Sequence, residues 1–96
     1  MGWATTHIER LQAGETVQFR PRGTSMQPRI MDRALVTVEP ATTAEEDDVV
    51  LCRVRGRDYL HRVEAVGDRG FRIGNMQGHT NGWTRSIFGK VVEVAP

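Results

Sequence analysis

The chain has 96 residues, 39% apolar and 26% charged, with a formal net charge of +1. That length supports one hydrophobic core and excludes a second, and the near-neutral charge gives no broad electrostatic pull toward nucleic acid, so no nucleic-acid partner is expected. Cys52 is the only cysteine, which rules out an internal disulfide and a multi-cysteine zinc site and suits a cytoplasmic setting; with no apolar run near the roughly 20 residues that cross a bilayer and no export signal, a soluble domain is expected.

The first residues, Met1-Gly2-Trp3-Ala4-Thr5-Thr6, match the loose pattern for N-terminal myristoylation, but so short a motif carries little weight. Thr6 followed by Glu9 predicts a capping box. Ile8 and Leu11 share a helical face, and Gly14 stands just past it as a stop, so residues 1–15 form an N-terminal segment with one short helix. From residue 16 to 96 the helical period gives way to short β-rich runs between turn residues. The predicted strands are Thr16–Arg20, Ala34–Val38, Val49–Val54, Tyr59–Val66, Gly70–Ile73 and Ile87–Val94. Arg55-Gly56-Arg57-Asp58 reads as a hairpin turn, with Gly56 free to take a positive φ. The acidic run Glu45-Glu46-Asp47-Asp48 predicts a solvated loop rather than a metal cage. No ligand-like spacing joins His7, Cys52, His61 and His79, so no metal is expected, and no cofactor motif is present.

Two stretches carry candidate chemistry. In Gly23-Thr24-Ser25-Met26-Gln27-Pro28 a serine sits on a glycine-permitted bend, where its hydroxyl is accessible and the backbone N–H groups of Thr24 and Ser25 can face a developing oxyanion. Pro28 stiffens the exit and Met26 offers an apolar anchor. Such a hexapeptide alone is most often a turn. Downstream, Tyr59-Leu60-His61-Arg62-Val63 places a histidine on a strand, and alternation puts Tyr59, His61 and Val63 on one face with Leu60 and Arg62 on the other. Gly74 to Trp83 is rich in turn formers around one large aromatic: either a cleft rim, with Asn75, His79 and Asn81 lining it and Trp83 as a contact, or a structural plug.

The series Gly23-Thr24-Ser25-Met26-Gln27-Pro28, Ile30-Met31-Asp32, Leu35 to Val38, Val49-Val50-Leu51 and His61-Arg62-Val63 resembles the core of the LexA-type and signal peptidase-type serine peptidase superfamily, over roughly residues 16–94. The resemblance implies a mainly β domain of coiled sheets, partly barrel-like, and a serine paired with a base standing just before an Arg-Val pair. Lysine is the usual base there, and His61 holds that position here. The implied site is a Ser25–His61 dyad, with Met26, Pro28, Asn75, Asn81 and Trp83 at the substrate cleft and a peptide or protein as substrate. The family's carboxylates are absent: Arg33-Ala34 stands where many relatives have Gly-Asp, and Gly74-Asn75-Met76 where signal peptidases have Gly-Asp-Asn.

A histidine near its ordinary pKa of about 6.5 accepts a proton at neutral pH without the deep burial a lysine base needs. Some group must fix its tautomer, and Asp32, Asp58 and Asp68 are equally eligible by sequence. The expected function is a soluble serine endopeptidase or self-processing domain. The alternative is an inactive peptide-binding or regulatory module of the same fold, including one from a phage or mobile element. No DNA-reading helical domain stands ahead of the core, so a complete repressor is not expected. Ala13-Gly14 is the kind of bond that LexA-type relatives cut in themselves, but its nearness to Ser25 strains cleavage in cis.

Overall fold

Ile8 and Leu11, three residues apart on one face, draw the N-terminal segment onto the sheet as helix α1, Thr5–Gln12, in a computed structural model that describes residues 2–96. The helix begins earlier than the Thr6–Glu9 pattern predicts. Ala4 is the N-cap and no side chain caps it; Ala4 is fully buried, so packing against the sheet fixes the start and Thr6 falls inside the helix, where a capping box cannot form. The other end follows expectation. Gly14 takes φ +87°, Gly14 N–H donates to Leu11 O at 3.0 Å and Glu15 N–H to Arg10 O at 2.9 Å, the paired bonds of a Schellman stop.

Seven antiparallel strands follow: β1 Val17–Phe19, β2 Leu35–Pro40, β3 Val49–Val54, β4 Arg57–Gly67, β5 Gly70–Gly74, β6 Thr80–Thr84 and β7 Ser86–Ala95. They form one sheet in the order β1-β2-β7-β3-β4-β5-β6. Among the described residues the fold is thus mainly β with a single short helix, as expected, and the sheet does not close into a barrel: β1 and β6 end it and do not pair with each other. Arg55 and Gly56 make the β3–β4 turn with φ +52° and +80°, a two-residue connection whose twist matches the flanking strands. β6 has no counterpart among the predicted strands. Thr80-Asn81-Gly82 lacks the β-branched alternation of a strand, and the segment becomes one only by pairing with β5.

Because β3 lies inside the sheet and is covered on both sides, its residues divide between two cores. Val49 and Leu51 join Ile8, Leu11, Val36 and Val38 beneath α1; Val50, Cys52 and Val54 join Val63, Ile73 and Ile87 on the opposite face. Each fully buried Val or Leu contributes about 1.5–3 kcal/mol relative to exposure. Burial, with the Asp58 carboxylate adding to it, pushes the Cys52 thiol up to about 12, so Cys52 serves as an inert core residue. The acidic run is a loop whose carboxylates meet cations: Asp47 pairs with Arg29 at 3.0 Å and Asp48 with Lys90 at 3.8 Å. Among the described residues no helix is long and apolar enough to cross a membrane.

Candidate active site

The loop from Arg20 to Ala34 crosses from β1 to β2 and carries Ser25 at its bend. Gly23 takes φ +112°, a conformation that favours glycine, and its N–H donates to the Asp32 carboxylate at 2.7 Å. Arg33 N–H closes the loop base onto Pro21 O at 2.8 Å. On the inner side Met26 and Ile30 are buried in the core beneath α1. The loop's own bonds engage the N–H groups of Gly23, Gln27 and Ile30, leaving those of Thr24 and Ser25 without an acceptor among the described residues.

His61 stands mid-strand on β4, opposite Val50 of β3. Tyr59 and Val63 pack on the same side of the sheet and Leu60 on the other, the alternation the sequence implies. His61 is 8% exposed, and its imidazole stacks on the Tyr59 ring at 5.0 Å. Its Nε2 lies 3.2 Å from Ser25 Oγ, and its Nδ1 lies 2.7 Å from Asn81 Oδ1. Burial lowers the His61 pKa, the hydrogen bond to Asn81 works against that, and nearby His79 adds to the depression. A neutral imidazole at pH 7 follows.

The stretch from Gly74 to Trp83 is the other half of the site. Its turn docks on the serine loop: Met76 N–H donates to Ser25 O at 2.8 Å, and the Gln77 side-chain amide donates to Gln27 O at 3.0 Å and Thr24 O at 3.3 Å. The turn shapes itself through Asn75, whose side-chain oxygen accepts from the N–H groups of Gln77 and His79 at 2.8 and 3.0 Å. Two β-bulges then set the strands. Opposite β5 the register slips at Glu64 of β4, which falls between the Val63↔Ile73 and Ala65↔Arg72 pairs, and at Asn81 of β6, which falls between Ile73↔Gly82 and Gly74↔Thr80. Glu64 reaches across Gly74 to accept from Thr80 Oγ1 at 2.8 Å and from Arg72 Nε at 3.3 Å. A side chain on Gly74 would collide with that carboxylate and with the His79 carbonyl.

A cleft of about 530 Å³ opens beside Ser25 and His61, walled by Trp3 and His7 of the N-terminal segment, Phe19 of β1, Met26 and Met31 of the loop, and Tyr59. Of the residues assigned to the cleft from sequence, Met26 lines it; Pro28, Asn75, Asn81 and Trp83 do not. Asn75 holds the turn, Asn81 faces His61, and Trp83 sits on β6 opposite Arg72. None of the three candidate aspartates reaches His61. Asp32 anchors Gly23, Asp58 pairs with Arg53 at 2.8 Å, and Asp68 offers its backbone carbonyl to Arg85. Asn81 and the wall formed by Trp3, His7 and Phe19 were not legible in these roles, because each depends on chain segments meeting in three dimensions.

No group of three or more His, Cys, Asp or Glu side chains suited to a metal occurs among the described residues. Of the comparisons with known proteins, a family model described as Peptidase S24-like matches residues 5–74, and no curated protein matches. The matched span holds Ser25 and His61 and stops short of Asn81.

Proposed function

We propose that this chain, which belongs to the Peptidase S24-like family, is a serine endopeptidase that cleaves peptide bonds with Ser25 as nucleophile and His61 as general base. The observation that carries the reading is the 3.2 Å approach of Ser25 Oγ to His61 Nε2, within the looser range of a nucleophile–base pair before substrate binds. His61, held neutral by its burial, takes the hydroxyl proton as Oγ bonds to the carbonyl carbon of the substrate. The tetrahedral oxyanion lies against the N–H groups of Thr24 and Ser25. As it collapses the C–N bond breaks, His61 gives its proton to the leaving amine, and an acyl ester remains on Ser25. Water, giving up a proton to His61, then hydrolyses that ester and restores both side chains.

The substrate class is a peptide segment of a second protein or of another copy of the chain. The Ala13-Gly14 bond is an unfavourable target in cis, because the N–H groups of Ala13 and Gly14 are bound into the helix stop and an extended substrate conformation would unwind it.

The test is to incubate the pure protein alone and with a denatured protein mixture between about pH 6 and 9, reading new termini by mass spectrometry. Cleavage by the wild type is expected to fall by at least about 10³-fold in Ser25→Ala and His61→Ala. Cleavage that survives in Ser25→Ala, or none from the wild type anywhere in that range, overturns the peptidase reading.

A further inference from the structure

We infer that Asn81 is the positioning residue of this site: it holds the His61 proton on Nδ1 and so leaves the Nε2 lone pair facing Ser25. The inference rests on the Ser25–His61 reading and adds the group that orients the base. It begins from the 2.7 Å contact between His61 Nδ1 and Asn81 Oδ1. An amide oxygen can only accept, so Nδ1 must carry the proton. In the other tautomer Nε2 would carry it, face Ser25 Oγ as a donor, and have no lone pair with which to remove the hydroxyl proton.

The backbone around Asn81 is shaped to make this contact. Asn81 is the extra residue of the β6 bulge, and a bulge turns its unpaired residue away from the regular alternation of the strand. Gly82, at φ +129°, returns the chain to register. On the other flank Thr80 is tied to Glu64, which is itself the extra residue of the facing bulge on β4. Gly74, between them, leaves room for the Glu64 carboxylate to pass. Two bulges, one glycine and one hydrogen bond thus aim a single amide at His61.

The choice of an amide has a chemical consequence. A carboxylate at this position would stabilise the imidazolium and raise the His61 pKa, whereas an amide fixes the tautomer without adding charge. Burial therefore keeps control of the protonation of His61, and the base stays neutral at lower pH than an aspartate-bound histidine would.

The experiment is a long-range ¹H–¹⁵N correlation of the imidazole nitrogens in the full ¹⁵N-labelled chain near pH 8, well above the ordinary histidine pKa, with His61 assigned by comparison with His61→Gln. The expected wild-type spectrum has the His61 proton on Nδ1. In Asn81→Ala that preference is lost, while Asn81→Asp keeps it and raises the His61 pKa by at least about one unit; a residue that merely filled space would produce neither change. A wild-type proton on Nε2, or a tautomer unchanged in Asn81→Ala, overturns the inference. If Asn81→Ala does not fold, Asn81→Asp decides alone, and a His61 pKa that does not rise overturns it. Cleavage assays on the same samples separate the two claims. The expected tautomer in a protein that cleaves nothing upholds the positioning role and sinks the peptidase reading; in an active protein, Asn81→Ala lowers kcat by about 10- to 100-fold with KM within about twofold.

Discussion

The serine loop, residues 20–34, turns on Pro21, Gly23 and Pro28, and the β5–β6 hairpin, residues 74–84, on glycines and on Asn75 and Asn81; both are rich in turn formers, yet they are held in place by different forces. The loop is anchored by apolar burial: Met26 is 5% and Ile30 3% exposed. The hairpin sends few apolar side chains into the core, and its turn is fixed by hydrogen bonds, from Met76 and Gln77 to the loop and from Asn75 within itself. Ser25 therefore rides on a segment whose position is set when the core forms. The groups that orient its surroundings ride on one whose position is set by polar contacts with that loop and with His61. Net hydrogen-bond contributions of about 0.5–1.5 kcal/mol are smaller than the cost of emptying a core site, so the hairpin is the softer half.

The largest expected effect breaks the loop's anchor. Met26→Ala removes a buried side chain from the core beneath α1 and is expected to cost about 2–5 kcal/mol in urea unfolding. Gln77→Ala removes two exposed hydrogen bonds from the other side of the same loop and is expected to cost no more than about 1 kcal/mol. Near-equal losses in the two variants would show that the loop is held by the hairpin and not by the core.

That asymmetry also explains which parts of the molecule were legible in the sequence. Val49–Val54 reads as a strand because its residues are apolar on both faces, and Tyr59 to Val63 because its residues alternate; both patterns are local. Ser25 and His61 stood out through the resemblance their neighbours carry, which itself depends on the spacing of core strands. Asn81 stood out only as a residue of the cleft, not as the partner of His61. An asparagine before a glycine signals a turn, and nothing within a few residues reveals that this one is the odd residue of a bulge facing His61 across β5. The same reason hid β6, whose pairing with β5 decides its structure, and the true start of α1, where burial of Ala4 outweighs the Thr6–Glu9 pattern. The chemistry of charged triads points to an aspartate to orient His61, but the Asp32 and Asp58 carboxylates are bound to Gly23 and Arg53, and His61 Nδ1 meets Asn81 instead.

A smaller effect tests whether the two bulges act together. Gly74→Ala sets a methyl group against the Glu64 carboxylate and the His79 carbonyl, and overpacking of this kind costs about 1–3 kcal/mol. The damage is expected to be confined to the hairpin. Amide hydrogen exchange should quicken across β5, the 75–79 turn and β6 while the N–H groups of β3 keep their wild-type protection, and the Asn81-dependent tautomer of His61 should be lost together with the Glu64–Thr80 bond. Faster exchange in β3 as well would mean that the hairpin is not a separate unit and that the contrast with the loop is overdrawn.

The smallest effect is read in pH, because His61 lies where the two regions meet. The core lowers its pKa through burial, and Asn81, from the hairpin, pulls it back up. The rising limb of kcat/KM is therefore expected below about pH 6.5, the ordinary histidine value, and the His61 titration followed by NMR should move lower still in Asn81→Ala. Stability must carry the same signature. A histidine whose folded pKa is depressed binds fewer protons in the folded than in the unfolded state between the two values, so stability rises with pH across that window. His7 is depressed too, by burial and then by the Arg10 charge, and both add to the slope. The thermal midpoint should accordingly be level above about pH 6.5, fall as the pH drops below it, and level off again once the folded histidines are protonated. His61→Gln should flatten the part of that fall that belongs to the site. A midpoint that climbs on acidification through this window would mean that His61 gains a charged partner on folding, and the balance between a burying core and a neutral hairpin would be wrong.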